Sequence, residues 1–140
     1  MRLFVFFLLT LPIIGLSQNK TYKVRTVAFY NVENLFDTTN DTLIFDNERT
    51  PEGTFRWTNG RYQKKITDLA QVISEIGGDI TSTSPDIIGL CEIENLKVLE
   101  DIVNHPHLQD KEYGIVHFDS PDNRGIDVAL LYKKAVYFYQ

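Results

Sequence analysis

Three short stretches of this 140-residue sequence place oxygen-bearing or cationic side chains where strand-like runs end. The first is Phe29-Tyr-Asn-Val-Glu-Asn-Leu-Phe-Asp37. Asn31 and Glu33 share side-chain parity as a strand leaves the core, so an amide oxygen and a carboxylate there can meet a hard cation or its waters. Ordinary strand-end turn chemistry, which favours Asn and Asp, is the competing reading. The second is Gly89-Leu-Cys-Glu-Ile-Glu-Asn95. Glu92 follows a wholly apolar run, and a carboxylate at that depth is costly unless it is paired or metal-bound. One or two carboxylates plus waters and phosphate oxygens are enough to hold Mg²⁺. Glu94 has the same parity and would stand behind Glu92. A solvated Glu at the start of a loop is the alternative. The third is His117-Phe-Asp-Ser-Pro-Asp-Asn-Arg-Gly-Ile-Asp-Val-Ala129. The planar fork of Arg124 can clamp a phosphate, with Gly125 letting the backbone approach, or Arg124 can simply pair with Asp127.

Two other candidates carry less. His105 and His107 flank Pro106 in a loop without the further ligands that a metal site needs. Cys91, the single cysteine, lies in the apolar run and reads as a buried inert thiol. One cysteine excludes an internal disulfide. The net charge of -5 argues against binding nucleic acid by bulk positive charge, but a carboxylate site loaded with a cation still binds anions locally.

The elements that must position these residues follow from periodicity. Val24 to Val32 alternates as a strand. Tyr62, Ile66, Leu69, Ile73 and Ile76 recur at three and four, which predicts a helix from about Arg61 to Ile76, capped by Asn59 and stopped by Gly77-Gly78. The run Ile87 to Cys91 predicts a strand buried on both faces. Asn95 is expected to cap a second helix with Leu96, Leu99, Ile102 and Val103 facing inward, ended by Pro106. Strands are expected at Tyr113 to Phe118 and Ile126 to Tyr132, and another beginning over Ala135 to Tyr139. Between the first strand and helix, Asp37 to Gly60 is a long polar loop, functional or mobile. The order β-α-β-α-β-β indicates an α/β layered domain. At the N-terminus, Arg2, the apolar run Leu3 to Ile14 and Gly15-Leu16-Ser17 have the layout of a secretory signal peptide, residues 1–17, the alternative being an uncleaved anchor. Export, to the periplasm or outside the cell and without a stable membrane anchor after cleavage, is the expectation.

Taken together, the three stretches resemble the endonuclease/exonuclease/phosphatase family, over about Lys23 to Tyr139. Phe29 to Leu35 looks like the family's first strand motif, which places Asn31 in a metal and phosphate site; Glu33 matches a position that is acidic in some branches. Pro85-Asp-Ile-Ile-Gly-Leu-Cys-Glu92 looks like the motif whose Glu is the principal Mg²⁺ ligand, with Cys91 where Gln is common. Asp122 to Tyr132, and the stretch through Gly53, Trp57, Arg61, Tyr62 and Lys65, resemble secreted bacterial members and place Arg124 beside the substrate phosphate. The resemblance implies a deoxyribonuclease-like layered α/β sandwich, Mg²⁺ (or Mn²⁺) as cofactor, and a phosphoester substrate, nucleic acid among the options. It also implies further motifs, Gly-Asp-x-Asn and Ser-Asp-His, that this sequence lacks: its one Gly-Asp, Gly78-Asp79, continues Ile80-Thr81. Residues 18–140 therefore read as the N-terminal half of such a domain, one mixed sheet with helices. The expectation is a metal-dependent phosphoester hydrolase that is incomplete in this chain, a C-terminal half being the partner it lacks; an inactive fragment or a phosphate-binding remnant is the alternative.

Overall fold

The computed structural model describes residues 20–137. The proposed signal peptide lies outside them, and no helix among the described residues is long and apolar enough to cross a membrane. Four strands form one mixed sheet in the order β1-β2-β4-β3: β1 Val27–Leu35, β2 Ile87–Ile93, β3 Tyr113–Phe118 and β4 Asp127–Lys133. β1 and β2 run parallel, and the crossover between them carries helix α1, Asn59–Glu75. Parallel neighbours need such a crossover because a tight turn cannot reverse the chain twice. β4 pairs antiparallel with both β2 and β3.

The apolar stripe of α1 buries Tyr62, Ile66, Leu69, Ala70 and Ile73. These side chains pack with Ile88, Leu90 and Ile93 of β2 and with Val98, Leu99 and Ile102 of α3, Leu96–Val103. Asn95 caps α3 as expected, its side-chain oxygen accepting the Val98 N–H at 3.1 Å. Ile88 is fully buried in this cluster. Ile88→Ala is expected to cost about 2–5 kcal/mol, seen as a lowered urea midpoint, because the methyls removed leave a cavity.

Several expectations shift. β1 begins and ends three residues later than alternation suggests. Asn59 is the first residue of α1 rather than its cap; Thr58 precedes it without a side-chain capping bond. Gly77, at φ +74°, stops α1 in the left-handed region, and a short turn of helix, α2 Gly78–Thr81, follows. Leu96 is exposed and Val98 takes its place inside, because the cap at Asn95 sets which face of the first turn meets the core. The expected last strand is instead a helical turn, α4 Lys134–Tyr137, with residues 138–140 outside those described. Among the described residues the sheet is covered on one face only: Val27, Phe29 and Val128 are exposed on the other, Phe29 to 85%. Ile87 and Cys91 on that face are accordingly half-buried, not enclosed.

The long loop after β1 is compact. Its Phe45 N–H donates to the Asn123 carbonyl at 2.9 Å, Asp46 accepts the Asp41 N–H at 2.8 Å, and the Trp57 indole N–H donates to the Phe36 carbonyl at 2.8 Å. At the opposite end of the sheet Asp86 accepts from Arg25 and from the Thr26 N–H, and the Lys133 ammonium donates to Thr83 Oγ1 and the Ser84 carbonyl. These bonds tie the start of β2 to the start of β1 and to the end of β4.

Candidate metal and phosphate site

Parallel pairing puts Asn31 opposite Cys91, so the ends of β1 and β2 deliver Asn31 and Glu92 to one place. Asn31 Nδ2 donates to Glu92 Oε1 at 3.0 Å, and the Asn34 N–H donates to Oε2 at 2.9 Å. Asn31 Oδ1 in turn accepts the Glu33 N–H at 2.7 Å. These bonds fix the orientation of the Asn31 amide, since only its nitrogen can donate to a carboxylate and only its oxygen can accept an N–H. Asn31 thus acts as a positioning residue for Glu92.

The backbone here is unusual. Glu33 and Asn34 lie at φ +57° and Glu92 at φ +66°, all in the left-handed region where a side chain with Cβ is disfavoured. Residues held in that region gather at functional sites, where surrounding bonds keep them in place. The turn also breaks strand alternation, and the register slips between Asn31 and Leu35 and between Cys91 and Ile93. The expected shared parity of Glu92 with Glu94 therefore fails, whereas Asn31 and Glu33 stay exposed on either side of buried Val32 and line one cleft.

Glu94 is instead buried at the base of the long loop. It accepts the Asp37 N–H at 2.5 Å and the Asn95 amide at 3.2 Å. Burial above all, then the nearby Asp37 and Asp46 carboxylates, push its pKa from the usual 4.5 up to about 8, although the Asp37 N–H bond opposes this. The exposed Glu33 carboxylate lies beside the Asn31–Glu92 pair, on the wall of an adjoining cleft.

Arg124 lies within electrostatic reach of Glu92, which helps raise its pKa, but the leading cause is its bond to Asp122. The fork binds Asp122 through Nε (3.1 Å) and Nη2 (2.7 Å). The alternative partner considered for Arg124, Asp127, is taken elsewhere: it accepts the Ser120 N–H at 2.7 Å and lies 2.9 Å from His117 Nε2. With Asp119, these two residues place ligand atoms within 4.8 Å of one another on the β3–β4 hairpin, close enough to share a cation. The spacing His117-x-Asp119 on a predicted strand end was the signal available in the sequence. His105 and His107 stack on each other at 5.1 Å and join no such group.

Lys65 is the residue at the Asn31–Glu92 centre that strand-end reasoning misses. From α1 its ammonium donates to the Glu33 carbonyl at 2.5 Å. Burial lowers its pKa, while the charges of Glu33 and Glu92 act in the opposite sense. Besides its place in the stretch that resembles secreted family members, its position in the 3.6-residue period, one residue before the buried Ile66, is the trace of this in the sequence.

A mixed α/β sheet with carboxylate and amide side chains at the ends of parallel strands defines an α/β protein whose chemistry sits at its strand ends. The chain belongs to the Endonuclease/Exonuclease/phosphatase family, whose model matches residues 26–140. That family comprises phosphoester hydrolases that generally use a divalent metal and act on substrates such as nucleic acids. Among curated proteins and among solved structures, nothing matches the chain.

Proposed function

We propose that this chain carries the metal-holding strand ends of a phosphoester hydrolase, with Glu92 as the principal ligand of Mg²⁺ (or Mn²⁺). The observation that carries this is the Asn31–Glu92–Asn34 network, which spends three left-handed residues to hold one carboxylate at the sheet end. The donor set fits a hard cation: the Glu92, Asn31 and Glu33 side chains all offer oxygen. Asn34 Oδ1, buried without a hydrogen-bond partner, adds an acceptor on the residue that holds Glu92.

When bound, the metal would stabilise charge on the phosphoryl and leaving oxygens. Asn31 and the Asn34 N–H fix the Glu92 carboxylate, so it need not reorganise as charge develops. Glu33 supplies a second carboxylate on the same turn. Arg124 would leave Asp122 for a substrate phosphate, a move that exchanges one charged oxygen pair for another. Among the described residues no histidine joins the Asn31–Glu92 network. We read these 140 residues as binding metal without hydrolysing phosphodiesters by themselves, as part of a deoxyribonuclease-like sandwich, exported by residues 1–17. A second sheet packed over Val27, Phe29 and Val128 would complete that sandwich.

The test is calorimetric titration with Mg²⁺ and Mn²⁺. A single site is expected, weakened about 10-fold by Asn31→Ala because losing the partner of a ligating carboxylate frees it to wander. Metal binding that is unchanged in Glu92→Gln would sink the reading.

A further inference from the structure

Beside the Asn31–Glu92 centre lies an open cleft of about 380 Å³ between α1 and the end of β1, sharing Asn31 and Glu33 with it. Its lining includes Tyr30, Leu69 and Val72, with Val72 40% exposed although it sits on the α1 helix beside buried neighbours. Around Trp57 its wall carries three cations, Arg61, Lys64 and Lys65, against two acids, Asp68 and Glu33.

The three cations differ in what they have left to give. Lys64 is neutralised by Asp68, which accepts from it at 2.9 and 2.6 Å. Lys65 donates to one neutral acceptor, the Glu33 carbonyl, while an ammonium has three donors. Arg61 gives one nitrogen to the Phe55 and Arg56 carbonyls, and its other nitrogens hold no hydrogen bond among the described residues. Both free cations lie over the Trp57 ring, Arg61 at 5.4 Å and Lys65 at 5.9 Å from its centre. The ring in turn is pinned through its N–H to Phe36. Two cations held in place by carbonyls, with donors unspent, form a receptor for a tetrahedral oxyanion. An apolar patch within reach of them suits a flat ring.

We propose that this cleft binds one nucleotide unit of a single-stranded nucleic acid, next to the metal site at Glu92, with its phosphate on Lys65 and Arg61 and its base on Tyr30, Leu69 and Val72. The proposal rests on the phosphoester-hydrolase reading of the adjoining site. An unpaired base has a free face for an apolar floor, whereas a duplex keeps its bases stacked. The charged side chains of Lys64 and Asp68 at the rim leave no apolar track for the acyl chains of a lipid.

The experiment uses the full chain in EDTA, with labelled oligothymidylate followed by fluorescence anisotropy over a KCl series. Lys65→Gln is expected to lower affinity about 10-fold and to reduce the salt slope by about 0.7, one phosphate contact on a single strand; Lys65→Arg restores the slope. Arg61→Gln is expected to act in the same direction. The wild type is expected to prefer oligothymidylate to an abasic strand of equal length, and Val72→Asp to abolish that preference. Unchanged affinity and slope in both Lys65→Gln and Arg61→Gln overturn the proposal, as does equal binding of the abasic strand. Lys65-dependent binding to phosphatidylglycerol vesicles without binding to the oligonucleotide overturns it in favour of a lipid substrate. The two readings separate cleanly: Glu92→Gln should lower Mg²⁺ affinity by on the order of 100-fold without weakening oligonucleotide binding in EDTA. Lys65-dependent oligonucleotide binding by a chain that takes no Mg²⁺ would defeat the hydrolase reading alone.

Discussion

Glu92→Gln is expected to lower Mg²⁺ affinity by on the order of 100-fold, read by calorimetry, while the chain keeps its fold. Gln keeps the shape but loses the charge that a hard cation needs. It also sets its amide nitrogen against one of two donors, the Asn31 amide or the Asn34 N–H, so one of the two bonds is lost. That loss costs about 1 kcal/mol at a half-buried position. The backbone supplies an independent check. Glu92 sits at φ +66°, where a residue with Cβ is strained by about 1–2 kcal/mol and glycine is not. Within a regular strand Gly is worse than Ala by about 0.5–1 kcal/mol. At position 92 the order is expected to reverse, with Glu92→Gly more stable than Glu92→Ala by about 1 kcal/mol in urea unfolding. If Ala proves the more stable, the strand end is not held in the left-handed conformation, and the geometry assigned to the site is wrong.

The second large effect is on stability against pH. Glu94 titrates near 4.5 when unfolded and near 8 when folded, because the folded chain buries it beside Asp37 and Asp46. Between those values the folded state binds more protons than the unfolded one. Stability contributed at this position is therefore greatest below about pH 4.5 and falls as pH rises, by about 1.4 kcal/mol per unit, until about pH 8. Glu94→Gln removes the dependence. Its amide also offers a permanent donor to Asp46, whose Oδ1 is buried without a partner. The variant is expected to exceed the wild type by a few kcal/mol at pH 8 and by about 1 kcal/mol or less at pH 5. Urea midpoints of both proteins at pH 5, 7 and 8 measure this, and a difference that does not grow with pH would show that Glu94 ionises in the folded chain as it does in solution.

Both effects arise where regular alternation stops, and that is also where sequence reasoning loses its hold. The 3.6-residue apolar stripe of α1, the glycine stop at Gly77, the Asn95 cap and the apolar run of β2 are local features, each set by a few adjacent residues, and they read directly. So do Asn31 and Glu92 as polar residues following strand runs. Their meeting does not: the bond between them spans 61 residues and depends on the parallel register of β1 against β2. The parity expected of Glu94 with Glu92 fails because the left-handed residue at Glu92 resets the direction of the side chains that follow. That reset sends Glu94 into the core of the loop rather than toward Glu92. The choice of Asp122 over Asp127 as the partner of Arg124 is a competition that only placed atoms resolve, because His117 and the Ser120 N–H occupy Asp127 first. The sequence by itself determined the class of fold, the two strand ends and the family to which they belong. Only the tertiary structure decided that Asn31 holds Glu92 and that Lys65 reaches the same turn from α1, since both contacts join segments that are distant in the chain and are made by packing.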